Sequence, residues 1–201
     1  MYSKIKNLYD EFSKKYDEYA LSKGEYNAHL LLSSKLFELN ALPKNAKILD
    51  LGCGTGLSGE PFLKKRCEVT GVDVSAKMLE LAKNKGYEQV FEEDVERINK
   101  LSLKEFDVAV MLGVMEFVEK PEKLFLKIKE LLKPKGFFLL TIPTKLNKKS
   151  MLKHKNYTKK ETYELIKKTN YKIIYYEKNF GYNSRHSKEK IYYHYFILNK
   201  K

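Results

Sequence analysis

Apolar positions along this chain follow two periods, and the switches between them predict its elements. Residues 3–22 place Ile5, Leu8, Tyr9, Phe12, Tyr16, Tyr19 and Ala20 at i, i+3, i+4 spacing, which predicts an amphipathic helix with an aromatic face, ended by Gly24. A second helix, about 26–40, leads through Leu42 and Pro43 into a short buried strand containing Ile48, Leu49 and Leu51. Strands and helices then alternate. A helix is expected over 57–65 and a strand over 67–73, followed by a helix capped by Ser75 that carries Met78, Leu79, Leu81 and Ala82 to near Gly86. A third strand covers 87–92. Residues 106–112 run continuously apolar, the pattern of a strand buried on both faces. Pro121 opens a helix over 121–133, Lys133-Pro134-Lys135-Gly136 closes it, and 137–142 is a fifth strand. After a long loop over 143–157, Thr158 with Glu161 three residues on marks a capping box, and Leu165 and Ile166 point that helix toward the core. Residues 171–180 and 191–198 alternate as a final antiparallel pair.

Strands alternating with helices mean a parallel sheet joined by right-handed crossovers. A chain of 201 residues with 43% hydrophobic content suits one domain, residues 1–201, in which 1–43 form a helical cap and 45–143 the core. No apolar run approaches eighteen residues and the first residues lack the apolar stretch of a signal peptide, so a cytoplasmic protein without a membrane span is expected. Cys53 and Cys67 form neither a metal-ligand spacing nor a disulfide framework, and no metal site is expected.

Chemistry is concentrated at residues 46–59. The strand breaks into Gly52, Gly54 and Gly56, which let the backbone turn tightly and approach a ligand without Cβ interference. About twenty residues later Asp73 ends the second strand, where a nucleoside's ribose hydroxyls would need a two-acceptor partner. Gly54-Thr55-Gly56-Leu57-Ser58-Gly59 also satisfies the dinucleotide pattern, but Gly52 occupies the first position after the strand.

The register Asp50-x-Gly52-x-Gly54-x-Gly56 resembles motif I of the class I S-adenosylmethionine-dependent methyltransferases of the small-molecule type. Val72-Asp73-Val74-Ser75-x-x-Met78-Leu79, Glu92-Glu93-Asp94-Val95, Phe106-Asp107-Val108 and Leu131-Leu132-Lys133-Pro134-Lys135-Gly136 follow in that family's order, over roughly residues 45–143. The resemblance implies a single α/β domain with a doubly wound, mostly parallel, seven-stranded Rossmann-like sheet and an antiparallel C-terminal strand pair. It implies S-adenosyl-L-methionine as cofactor, with S-adenosyl-L-homocysteine as product. The implied contacts are the loop Asp50, Gly52, Cys53, Gly54, Thr55 and Gly56; then Asp73, Val74 and Met78; Asp94 and Val95 at the adenine; and Leu112 and Gly113 near the methyl group. Tyr9, Tyr16 and Tyr19 of the first helix would lie over the cofactor.

Methyl transfer from a sulfonium is an in-line displacement in which positioning dominates and a base is optional; His154, Glu116 and His29 are candidates for one. The chain lacks Asn or Asp-Pro-Pro-aromatic after the fourth strand, which disfavours methylation of adenine N6 or a glutamine amide. Of a net charge of +13, nearly all sits in residues 144–201, which hold 16 of the 39 basic but only 4 of the 26 acidic residues. That charge suits an anionic small acceptor drawn in by Lys145, Lys148, Lys149 and Lys153, or RNA; it is also what a composition rich in Lys, Asn, Ile and Tyr produces. No separate RNA module fits, and half of Tyr171, Tyr175, Tyr176, Tyr192, Tyr193 and Tyr195 must face a core, so a small acceptor is favoured. The alternatives are an RNA methyltransferase, a silent cofactor-binding regulatory subunit, and a nicotinamide oxidoreductase. For the last, no Tyr-x-x-x-Lys pairing stands in a plausible place: Tyr163 to Lys167 has the spacing but falls in the helix after the sheet.

Overall fold

A computed structural model describes residues 2–144, 155–184 and 189–201. Helix α1 (Tyr2–Glu18) runs into one π turn (Tyr19–Lys23), then come α2 (Ala28–Glu38), β1 (Lys47–Leu51), α3 (Glu60–Leu63), β2 (Glu68–Asp73), α4 (Ala76–Asn84), β3 (Gln89–Glu92) and β4 (Phe106–Met111). Helix α5 (Pro121–Leu131), β5 (Leu132–Pro143), α6 (Lys159–Lys168), β6 (Tyr171–Asn183) and β7 (Lys190–Lys200) complete the chain. The seven strands form one sheet in the order β3-β2-β1-β4-β5-β7-β6. Strands β1 to β5 pair in parallel, and β7 inserts antiparallel between β5 and β6. The expected α/β sheet with its antiparallel C-terminal pair is therefore present.

Two cores sandwich this sheet. Along β4, Val108 and Val110 face one layer with Leu32, Leu36 and Phe62, while Ala109 and Met111 face the other with Phe125, Ile128 and Phe138. The continuous apolar run is thus a strand with helices on both sides, each large side chain contributing about 1.5–3 kcal/mol on burial. The strand order reverses at β1 and β4, so their carboxyl ends open a crevice between them, the place where open α/β sheets bind ligands.

Three elements depart from expectation for local reasons. The helix expected over 57–65 is only the turn Glu60–Leu63: Gly59 is a poor helix former, Ser58 binds Asp50 instead, and Pro61 stands at the start of the turn. The first helix does not continue as α-helix past Glu18. There the Gly24 N–H donates to the Tyr19 carbonyl at 2.7 Å, closing a five-residue ring that widens the last turn. The Tyr19 hydroxyl then donates to the Asn183 carbonyl at 2.9 Å, and the Asn183 N–H to the Gly24 carbonyl at 2.9 Å, so this turn is tied to the far edge strand β6. Strand β5 begins at Leu132 rather than 137, with Leu132 paired to Phe106 and the register shifting between Phe106 and Val108. Lys133 anchors the irregular start on Asp107 at 2.9 Å. The caps at Ser75 and Thr158 form as expected: Ser75 accepts from the Met78 N–H, and Thr158 makes a complete capping box with Glu161.

Candidate functional site

The glycine loop leaves β1 with three residues in the left-handed region, Gly52 at φ +68°, Gly54 at +53° and Gly56 at +92°. Their reasons differ. A Cβ on Gly52 would come within 2.3 Å of Val114, and one on Gly56 within 2.9 Å of Tyr87, whereas one on Gly54 would meet nothing within 4 Å. Gly52 and Gly56 allow the loop to pack on protein; Gly54 faces open space that a ligand can fill.

Two buried aspartates hold this loop from below and beside. Asp50 accepts from Ser58 Oγ at 2.6 Å and from the Tyr87 hydroxyl, and its other oxygen has no partner. Burial lifts its pKa to about 6, against the opposing pull of the Ser58 and Tyr87 hydrogen bonds. Asp73, at the end of β2, accepts from the Gly54 N–H and the Ser75 N–H, each at 2.9 Å. Burial raises its pKa, while these backbone donors favour its charged form. Asp73 thereby couples the glycine loop to the start of α4 while still lining the crevice.

That crevice is a cavity of about 300 Å³. Gly52, Gly54, Asp73, Val74, Met78, Asp94, Val95, Leu112 and Gly113 line it, and from α1 so do Tyr9 and Tyr16. Asp94 caps a 3-10 turn (Val95–Lys100) by accepting from the Glu96 N–H at 2.9 Å, which presents Val95 toward the same space. The other expected residues are placed elsewhere. Asp50 lies beneath the loop, and Cys53 is buried with its sulfur against Gly71. Thr55 donates to Asp17 of α1, Gly56 abuts Ala82 and Tyr87, and Tyr19 binds Asn183. These five support the wall without forming it.

The three candidate bases separate cleanly. His154, with Lys145, Lys148, Lys149 and Lys153, lies outside the described residues. His29 is buried on α2, stacked on Tyr26 at 5.6 Å, with burial lowering its pKa, and it does not line the cavity. Glu116 sits in a 3-10 turn (Met115–Phe117) directly after the carboxyl end of β4, between Val114 and Phe117 of the cavity wall. It accepts from the Tyr193 hydroxyl at 3.3 Å, its second oxygen has no partner, and burial lifts its pKa to about 7. It does not cap α5, whose N-cap is Lys120.

Helix α1 borders this space through Ile5, Tyr9 and Tyr16. Lys6 pairs with Glu92, Ser75 Oγ donates to Asp10, and Lys85 bridges Asp17 at 2.6 Å and Glu60 at 2.9 Å. Tyr9 meets Tyr16 at 6.3 Å and Phe117 edge-on at 6.4 Å. Sequence reasoning missed Tyr87, whose ring fills the space beside Gly56, Gly59 and Gly71 and whose hydroxyl holds Asp50. Nothing in its local pattern announced this. It also missed Glu96, which accepts from the Glu119 and Lys120 N–H groups at 3.0 and 2.6 Å and so ties the Val95–Lys100 turn to the segment after Glu116.

Residues 49–140, the span of this crevice, match a family described as a methyltransferase domain. The matched segment resembles the class I methyltransferases. It is 32% identical over 114 residues to a ubiquinone biosynthesis O-methyltransferase of Coxiella burnetii, covering 54% of this chain and 48% of that one. It spans about half the length of the curated relatives it matches. Its fold is shared over its whole length with the magnesium protoporphyrin IX methyltransferase of Synechocystis, solved with S-adenosylhomocysteine bound (TM-score 0.74, 14% identity, 100% and 99% coverage). A 1,6-didemethyltoxoflavin-N1-methyltransferase of Burkholderia thailandensis is similarly alike (TM-score 0.71, 18% identity, 98% and 87% coverage). Among the described residues, no helix is long and apolar enough to cross a membrane and no group of His, Cys, Asp and Glu is arranged to hold a metal.

Proposed function

We propose that this protein transfers a methyl group from S-adenosylmethionine to a small-molecule acceptor. The observation that carries this is the convergence of Gly54, Asp73, Asp94 and the two α1 tyrosines on one cavity. The open space at Gly54 admits a ligand against the backbone, and Asp73 retains acceptor capacity for ribose hydroxyls beyond its two backbone bonds. Asp94 and Val95 suit the amino group and face of an adenine. When bound, the cofactor supplies an activated methyl group on a sulfonium. The protein's part is alignment: the loop and Asp73 fix the nucleoside, α1 excludes water, and the β4 end, with Leu112, Gly113, Val114 and Phe117 on the cavity wall, lies where an acceptor approaches.

A small acceptor is favoured over RNA by the fate of the C-terminal tyrosines. Tyr171, Tyr193 and Tyr195 are buried in the sheet's cores, leaving Tyr192 as the most exposed of the six, so half of these tyrosines are withdrawn from any stacking role. Calorimetry tests the cofactor assignment. S-adenosylhomocysteine should bind in the micromolar range, about −8 kcal/mol, and tighter binding of NAD or NADP would overturn the assignment. Turnover by the isolated chain on any acceptor would exclude a silent regulatory subunit.

A further inference from the structure

Helix α1 carries a repeat, Tyr9-Asp10-Glu11-Phe12 and Tyr16-Asp17-Glu18-Tyr19, whose copies stand seven residues apart. Seven residues are close to two helical turns, so like positions share a face. Each position has its own task. Tyr9 and Tyr16 line the cavity, while Glu11 and Glu18 are exposed. Asp10 and Asp17 turn to the two segments that Asp73 joins. Asp10 accepts from the Ser75 hydroxyl, with the Lys77 N–H at 3.4 Å from the same oxygen. Asp17 accepts from the Thr55 hydroxyl through one oxygen and from the Lys85 ammonium at 2.6 Å through the other. Ser75 and Thr55 are buried, and because Ser75 Oγ already accepts from the Met78 N–H at 3.2 Å, its one proton is committed to Asp10. These bonds close a circuit. Ser75 and Gly54 both donate their N–H to Asp73, Thr55 follows Gly54 in the chain, and Asp17 leads back along α1 to Asp10.

Two anchors on one helix face fix both its height and its rotation, where a single one leaves it free to pivot. Bonds from a hydroxyl to a carboxylate are charge-assisted, so each anchor is stronger than a neutral hydrogen bond. We propose that Asp10 and Asp17 are positioning residues for the cofactor: by tying α1 to the glycine loop and to the start of α4, they hold Tyr9 and Tyr16 against the bound nucleoside and set how fast it leaves. The inference rests on the methyltransferase reading and adds to it the residues that keep one wall of the cavity in register with the other. Their effect on the ligand runs through the two tyrosines, since neither aspartate lines the cavity.

The test reads the release of labelled S-adenosylhomocysteine from the full chain, chased with unlabelled compound, beside ligand-free hydrogen exchange across residues 5–20 and the urea midpoint. Asp10→Ala and Thr55→Val each remove one anchor and should each speed release at least about tenfold, with exchange in α1 quickening alongside. Asp10→Asn keeps an acceptor for the Ser75 hydroxyl and should bring release back to within about threefold of the parent. Adding Asp17→Ala to Thr55→Val should speed release by no more than about fivefold further, the share of the Lys85 pair, because both variants break one and the same bond. A purely structural staple would lower the urea midpoint and quicken exchange while leaving release unchanged. That result, release from Asp10→Asn as fast as from Asp10→Ala, or full multiplication of the Asp17→Ala and Thr55→Val effects overturns the proposal. Should Asp10→Ala fail to fold, Thr55→Val decides, since it exchanges one buried hydroxyl for a methyl. A parent chain that binds no S-adenosylhomocysteine overturns the cofactor reading and this inference with it, whereas a parent that binds it, with variants releasing it at the parental rate, overturns the positioning role alone.

Discussion

The two halves of the crevice are built in opposite ways. The loop side comes from consecutive residues at strand ends, and backbone geometry shapes it: three left-handed glycines, two N–H groups fixed by Asp73, and a cap at Ser75. The opposite side comes from single side chains on α1 and around the turn after β4, Tyr9, Tyr16, Val114 and Phe117, and ring packing shapes it. A site made of backbone tolerates few residue types, so it leaves a motif. A site made of converging side chains leaves no local pattern and can change its ligand through one substitution.

The largest effect should come from turning the backbone half against itself. Gly52→Ala forces a Cβ into Val114 at a positive φ and should cost the fold about 3 kcal/mol or more, read as a lowered urea midpoint. Gly54→Val should leave the fold within about 1–2 kcal/mol yet weaken S-adenosylhomocysteine binding by at least about a hundredfold, because its side chain enters ligand space. If both variants lose stability equally, the distinction between the two glycines fails.

The turn after β4 should show itself through pH. Burial raises Glu116 above its ordinary carboxyl value to about 7, so the stability of the neutral form is complete below pH 4.5 and is lost as pH rises through 7. The amount lost is about 3 kcal/mol. Glu116→Gln does not suffer this loss, so its stability relative to the parent should improve by about that amount between pH 4.5 and 8.5 in urea melts. A gap independent of pH would mean that Glu116 ionises as an exposed carboxylate does.

Asp73→Ala should be intermediate and should touch both fold and ligand. It strands the Gly54 and Ser75 N–H groups, at about 1–3 kcal/mol, and should weaken S-adenosylhomocysteine by about 2–3 kcal/mol. Unchanged affinity in a folded variant would remove Asp73 from the site. The smallest effect belongs to the cap that joins the halves. Lys85→Ala removes partly exposed pairs to Asp17 and Glu60, about 0.5–1 kcal/mol, and should speed hydrogen exchange across residues 5–20 by about two- to fivefold without ligand. Exchange that neither quickens in this variant nor slows with S-adenosylhomocysteine would make α1 an ordinary packing helix.

Sequence alone determined the α/β alternation, the buried β4, the caps at Ser75 and Thr158, and the nucleoside wall from Gly52 to Val95, because each depends on residues within a turn or a strand of one another. Even there, local reading cannot tell a glycine that faces a ligand from one that faces protein: Gly54 and Gly52 look alike until Val114 is placed beside one of them. Nor can it tell Asp73, which lines the cavity, from Asp50, which Tyr87 and Ser58 hold beneath the loop. Glu116 stands out in sequence only as an acid after a strand. Its burial and its bond from the Tyr193 hydroxyl, 77 positions away, exist only once β7 inserts between β5 and β6. Charge in a low-dielectric site is set by everything around it, and contacts across such separations are decided by tertiary packing.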